Sequence, residues 1–400
     1  MGPRADSVAG GRRALVVGGG IAGSAAAWWL HHTGWDVVLV DASSTPHVGG
    51  FVLDLDTTAQ EILRAMDAED IITRTSATSP ATAFRLTRGP RPCKVTFAGG
   101  KARLSHRVKL IEELLQHVPE EVDVRLGVRL ETLEHRAEDV QARFDDGSAE
   151  PFDIVVGADG LHSTVRNLAL SPQETSLYRN GLSLLWTTVN RPLPGADGLV
   201  VSRNRTVVFA YPYPDTDKTQ IIAALPTPRP VTDTRPLAEQ VAAVLHEMGG
   251  DLTPIAEGVL EAEDTLLTRF TQVRAPRWSS GRVVLLGDAA HCIDPLSGLG
   301  AHGALLGAVT LAKALQRHGE DTTAAFASYE AHVRPFVQAS QHTTARAVEY
   351  ATRPESKSRW ATLLGGAGEL VRTLPQALSA PGRRALNGTV DLSTVHRVRS

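Results

Sequence analysis

Residues 14–43 read ALVVGGGIAGSAAAWWLHHTGWDVVLVDAS. ALVV is a short apolar run, suited to a parallel strand buried on both faces. It leads into Gly18-Gly19-Gly20-Ile21-Ala22-Gly23, which fits G-x-G-x-x-G. A helical segment follows from Ser24, Gly34 stops it, and a second apolar strand, DVVLV, ends at Asp41. Each position has a physical task. Gly18 permits the tight turn, Gly20 lets a pyrophosphate approach the backbone, and Gly23 lets helix and strand pack closely. The helix start, with Ile21 and Ala22 in its turn, offers free N–H groups and a positive dipole end to phosphates. Asp41 stands where an acid accepts bonds from ribose hydroxyls, and an acid there favours an unphosphorylated 2′-OH, as in FAD or NAD. Strand, helix, strand and terminal acid in register predict a Rossmann-type dinucleotide site. At this point FAD and NAD are not distinguished.

The rest of the chain fits such a fold. A length of 400 residues predicts two or three domains. With 42% hydrophobic and 21% charged residues and a net charge of −3, nothing points to nucleic acid as a partner. No apolar run approaches the roughly 18 residues of a membrane span. Arg12-Arg13 resembles an export signal, but the apolar segment after it is too short and reads better as a first buried strand. The two cysteines, Cys93 and Cys292, lie far apart, which supports neither a disulfide framework nor a metal site and fits a reducing cytoplasm. No internal repeat is visible.

Two further patches repeat the strand-then-glycine pattern. FDIVVGADGLHSTVR (152–166) ends an apolar strand in Gly-Ala-Asp-Gly. RVVLLGDAAHCIDPLSGLGAHGALLGA (282–308) ends one in Gly287-Asp288, then passes Gly298, Leu299 and Gly300 into a helix of small side chains. Ligands of doubly wound sheets sit at the carboxyl ends of strands. Three such ends suit a long ligand that touches each of them.

Together these patches resemble the three fingerprints, GxGxxG, DG and GD, of the class A, single-component flavoprotein monooxygenases (aromatic hydroxylases), in the group of the tetracycline-inactivating monooxygenases. The resemblance covers about residues 14–345, and YEAHVRPFVQASQ (329–341) is similar to the family's long carboxyl-terminal helix. It implies non-covalent FAD, with NADPH or NADH as reductant. It also implies that Asp288 bonds the ribityl chain and that the Gly298–Gly300 helix start faces the flavin's pyrimidine edge, where reduced flavin carries negative charge that a helix dipole favours. By the same resemblance Arg107 and Asp159 touch FAD, and Asp54, in GGFVLDL (49–55), approaches the ring. The chain departs from the family in three places. It has Asp41-Ala42 for Glu-Arg, His47 for an Arg that helps bind NADPH, and Asp294-Pro295-Leu296-Ser297-Gly298-Leu299-Gly300-Ala301-His302 for Pro-Pro-x-x-Gly-Gln-Gly-x-Asn. The last leans toward geranylgeranyl-reductase-like flavoproteins. It is also similar to the flavin-dependent halogenases, but their Trp-x-Trp-x-Ile-Pro motif is absent. Trp28-Trp29 reads as core.

Between the DG and GD patches the pattern changes. Residues 182–225 read as antiparallel strands separated by Pro, Gly and Asp turns, with shorter strands at 82–98 and a helix at 236–248. The resemblance implies a sheet covering the flavin, with substrate between sheet and ring. Trp186, Phe209, Tyr211 and Tyr213 are candidate wall residues, with Asp294 and Pro295 opposite. The predicted division gives 1–75, 100–175 and 276–348 to FAD, 76–99 and 176–275 to the substrate sheet, and 349–400 to carboxyl-terminal helices and a tail. No catalytic side chain is assigned. H-E-x-x-H, a cysteine cluster and G-x-S-x-G are all absent, as expected where the cofactor carries the chemistry. The reading is a cytoplasmic monomer or homodimer without membrane or nucleic-acid partner. The resemblance implies hydroxylation, or oxygen insertion, of a small cyclic or aromatic compound of specialised metabolism through a flavin C4a-hydroperoxide. An FAD-dependent reductase, or a flavin-bearing binding protein without turnover, stays open beside it.

Overall fold

The computed structural model describes residues 11–45, 52–78, 83–87, 93–96, 103–195, 198–213, 216–227, 231 and 233–351; segments 83–87 and 93–96 and positions 343 and 346–351 are described by backbone only. His47, the start of GGFVLDL and residues 352–400, nearly all of the predicted carboxyl-terminal helices and tail, lie outside the described residues.

A six-stranded sheet carries the three glycine patches. Its order is Ser279–Ser280, Val283–Leu285, Ile154–Gly157, Arg13–Val17, Asp36–Asp41 and Asp123–Leu126. All pairs are parallel except the first. The inner strands Val283–Leu285, Ile154–Gly157, Arg13–Val17 and Asp36–Asp41 are mostly buried runs of Val, Leu and Ile, as a parallel sheet under helices requires, whereas the edge strand Asp123–Leu126 is largely exposed. The register sets Val17 beside Gly157 and Gly157 beside Leu285. The three strand ends are thus neighbours, and Asp41 closes the next strand along.

The helix after the first glycine turn, Ile21–His32, begins inside the motif, earlier than Ser24. Its alanines let it lie close to the helix Gly300–His318, which also packs against the long helix Thr322–Ala351. Trp28 and Trp29 are buried in this layer, and each such side chain contributes on the order of 2 kcal/mol.

The second large sheet has seven strands, ordered Thr265–Arg274, Ser176–Val189, Thr219–Pro226, Thr206–Pro212, Gly198–Arg203, Ala83–Thr87 and Cys93–Thr96. All pairs are antiparallel except Gly198–Arg203 with Ala83–Thr87. Alternate side chains divide its two faces. Leu185, Val208, Ala210, Ile221 and Ala223 pack under helices Arg235–His246 and Thr253–Glu261. Leu184, Trp186, Val207 and Ile222 form the other face, with Phe209, Tyr211 and Leu296 against it. Leu296 belongs to the GD loop, so this second face is turned to the half that carries the glycine patches. A small sheet of Val52–Leu55, Arg103–His106 and Ser76–Thr78 lies between the large ones in sequence, and 76–78 pairs there rather than with the seven strands.

Candidate functional site: a dinucleotide cleft beneath an apolar sheet

At the first turn Gly18 has φ +109°, and a Cβ there would lie 2.5 Å from the Ala158 carbonyl oxygen. A Cβ on Gly23 would lie 1.7 Å from the Gly18 carbonyl oxygen. Gly20 faces open space. The helix it caps has no side-chain cap and no acid in its first turn. Its first internal bond runs from the Ser24 N–H to the Gly20 carbonyl at 2.9 Å, so the N–H groups of Ile21, Ala22 and Gly23 point outward unpaired within the helix. This is an anion seat.

Asp41 is half-buried beside it. Its oxygens accept from the Gly19 N–H at 2.6 Å and the Ser43 N–H at 2.7 Å. A carboxylate has about four acceptor positions, so capacity for ribose hydroxyls remains.

At the DG patch the acid holds the chain that follows it. The Asp159 carboxylate accepts from the Ser163 hydroxyl and from the N–H groups of Thr164 (2.6 Å) and Val165 (3.0 Å). It is a helix cap, and burial lifts its pKa despite those bonds. Next to it, Arg166 is buried and donates to the Leu161 carbonyl at 2.7 Å and to the Ala289 carbonyl at 3.0 Å. That guanidinium ties the DG patch to the GD patch, a role no spacing in the sequence announced.

At the GD patch Asp288 is reached by solvent, with protein packed around it. Burial raises its pKa, and the charge of Arg107, first residue of helix Arg107–Gln116, pulls it back. Asp54 occupies a similar position further along. Gly298 has φ +67°, and a Cβ there would meet an Asp54 carboxylate oxygen at 2.8 Å. The Gly298 backbone and Asp54 therefore share one wall. The helix Gly300–His318 has no acid in its first turn, and its first described bond is the Gly303 N–H to the Leu299 carbonyl at 2.9 Å. Gly300 faces open space.

Asp294 and Pro295 divide. Asp294 is buried, and one oxygen accepts from the N–H groups of Leu296 and Ser297, both at 2.9 Å. It shapes the loop from beneath. Pro295 and Leu296 are half-buried, and Leu296 touches the sheet wall. Opposite, Trp186 is buried with its indole N–H on the Thr268 hydroxyl at 2.9 Å. Phe209 and Tyr211 are half-buried on the same face. The Tyr213 hydroxyl pairs with His106 Nδ1 at 2.8 Å and so joins the sheet to the FAD-binding half. His302, on the helix start, bonds Asp56 at 2.6 Å and stacks on Phe336. Burial alone would raise Asp56, but His302 and the N–H groups of Ala59 and Thr58 hold it below the ordinary value. Asp56 caps the helix Thr57–Ala65, and an Asp directly before a helical run was the readable signal for it.

The FAD binding domain family matches residues 12–344. The chain belongs to this family. FAD is its cofactor, and the glycine cradle, the two uncapped helix starts and the carboxylates along the cleft fit that molecule. An uncharacterized protein of Mycobacterium tuberculosis is 31% identical over 250 residues, 59% of this chain, which spans 64% of that relative's length. A flavin-dependent monooxygenase from an unknown prokaryotic organism is 28% identical over 78% of this chain and 82% of its own. The crystal structure of tetracycline destructase Tet(51) superposes with a TM-score of 0.71 at 23% identity, over 92% of this chain and 98% of that one, which shows a shared fold.

One substitution isolates the shared wall. Gly298→Ala is expected to weaken FAD binding about 10-fold, because a left-handed alanine costs about 1–2 kcal/mol and its methyl displaces Asp54. Titration of apoprotein with FAD, followed by flavin fluorescence, measures this; unchanged affinity would remove Gly298 from the cofactor wall.

Proposed function

We propose that the protein is an FAD-dependent monooxygenase, which takes electrons from NAD(P)H and hydroxylates, or inserts oxygen into, a small cyclic or aromatic substrate. The observation that carries this is the apolar sheet face carrying Trp186, Phe209 and Tyr211, set against the loop before the Gly300 helix start. A planar substrate fits between that face and the cofactor. Relatives named flavin-dependent monooxygenases support the same reading.

Bound FAD supplies electron acceptance and oxygen activation. The chain supplies the rest. The Ile21 helix start binds pyrophosphate, and Asp41 orients the ribose. Arg107 and Asp288, near enough for the charge of one to act on the other, would hold the middle of the cofactor. The unpaired N–H groups at the Gly300 helix start favour negative charge at the pyrimidine edge, worth about 0.3–2 kcal/mol. Trp186 and its neighbours keep water from the reacting face.

Rapid mixing of fully reduced protein with O₂ tests the proposal. The expected result is a transient flavin absorbance distinct from both the reduced and the oxidised spectrum. Direct return to the oxidised spectrum, with and without ring compounds present, would replace the monooxygenase with a reductase.

A further inference from the structure

Among the described side chains the wall turned to the GD loop carries no charge across its centre. Strand Ser176–Val189 presents Leu184 and Trp186, strand Thr206–Pro212 presents Val207, Phe209 and Tyr211, and Ile222 lies between them. Arg274 shares that side of the sheet only at the far end of its strand. There it stacks over Tyr178, 3.7 Å from the ring centroid, and bonds Gln272.

Across from this wall stand Leu296 of the GD loop and one carboxylate, Asp54 of strand Val52–Leu55, which lies against Gly298. The other acids are engaged. Asp159 and Asp294 hold turns, Asp56 holds His302, and Asp288 lies near Arg107. Among the described residues the Asp54 carboxylate accepts no hydrogen bond, yet it lies against Gly298 and near enough to Tyr211 to raise the tyrosine's pKa.

We propose that the substrate is an uncharged or cationic ring compound that donates an O–H or N–H to Asp54, and that arene carboxylates are shut out. This rests on the monooxygenase reading for the location of the substrate and adds its chemical class. A bare carboxylate opposite an apolar wall gains most from a donor, and a second carboxylate beside it meets like charge with no cation facing it among the described residues.

Burial, and then the charge of Asp56, push Asp54 up to about 6. Asp56, His302 and Tyr211 are the titratable groups facing it among the described residues, and His302 is already paired with Asp56. Exclusion of carboxylates is therefore strongest above that pH and fades below it.

The test titrates FAD-loaded protein with 1-naphthol, 1-naphthylmethylamine and 1-naphthoate, following perturbation of the flavin absorbance. At pH 8 the alcohol and the amine are expected to bind at least about 10-fold more tightly than the acid, the size of one uncompensated like-charge contact. At pH 5 the acid, still ionised because its own pKa lies near about 4, is expected to gain several-fold on the other two. Asp54→Asn is expected to show that gain already at pH 8. Equal binding of acid and amine to the wild type at pH 8, or binding of none of the three, overturns the inference even if flavin chemistry is normal. Failure of the wild type to hold FAD would instead strike the reading on which it rests.

Discussion

Gly23→Ala is expected to yield colourless, destabilised protein. The added methyl would sit 1.7 Å from the Gly18 carbonyl oxygen and 2.9 Å from its carbon. Both are backbone atoms, so no rotamer relieves the overlap; the helix Ile21–His32 must lift from its strand. That helix packs against Gly300–His318, so the shift spreads through the core. Overpacking of this kind costs about 1–3 kcal/mol or more. Gly20→Ala is the informative partner. Its Cβ meets nothing in the protein, so the fold is expected to keep its Tm while the methyl occupies the approach of the pyrophosphate. The ratio of flavin to protein absorbance, read beside Tm, separates the two. A Gly23→Ala protein with full flavin content would mean that the turn is looser than the structure shows.

The second large effect is on stability against pH. Burial lifts the Asp294 carboxyl to about 8. In the unfolded chain the same group titrates near 3.8. Between those values the native state holds a proton that the unfolded state has released. Stability therefore falls as pH rises through this window, by roughly 1.4 kcal/mol per pH unit at most. Asp294→Asn keeps an oxygen for the Leu296 and Ser297 N–H groups. It removes the titration. The variant is expected to match wild type near pH 5 and to exceed it by up to about 4 kcal/mol near pH 8. Asp54, Asp159 and Asp288, which are also raised, act alike in both proteins and cancel in the comparison. Urea unfolding at the two pH values measures the difference, and an equal loss in both proteins would show that Asp294 is ionised in the native state.

Much of the cofactor half was legible because each clue was local. Gly18, Gly20 and Gly23 declare a turn, an open approach and a close packing within six consecutive residues, and DVVLVDAS declares a strand end. Three such strand ends pointed to one long ligand, and parallel pairing makes them neighbours. The sequence was less informative where function depends on partners far along the chain. Asp159, assigned to FAD by resemblance, and Asp294, a candidate for the substrate wall, both hold nearby N–H groups, which no motif spacing announces. Arg166 and Leu296 carried no signal, since bridging Ala289 or touching the sheet depends on tertiary register. The side of the sheet taken by Trp186 was likewise undecided until strand pairing fixed which alternate residues look toward the FAD-binding half.

That alternation has a consequence for how such a protein changes over generations. Ala210 and Ile221 answer to the helices behind the sheet, whereas Phe209 and Ile222, their neighbours in the chain, answer to whatever lies in front. Selectivity and foldability are thereby encoded on interleaved positions of the same strands. A lineage can drift at the front positions toward a new ring compound while the back positions stay frozen, and a laboratory library confined to the front set would explore specificity without drawing on the protein's reserve of stability.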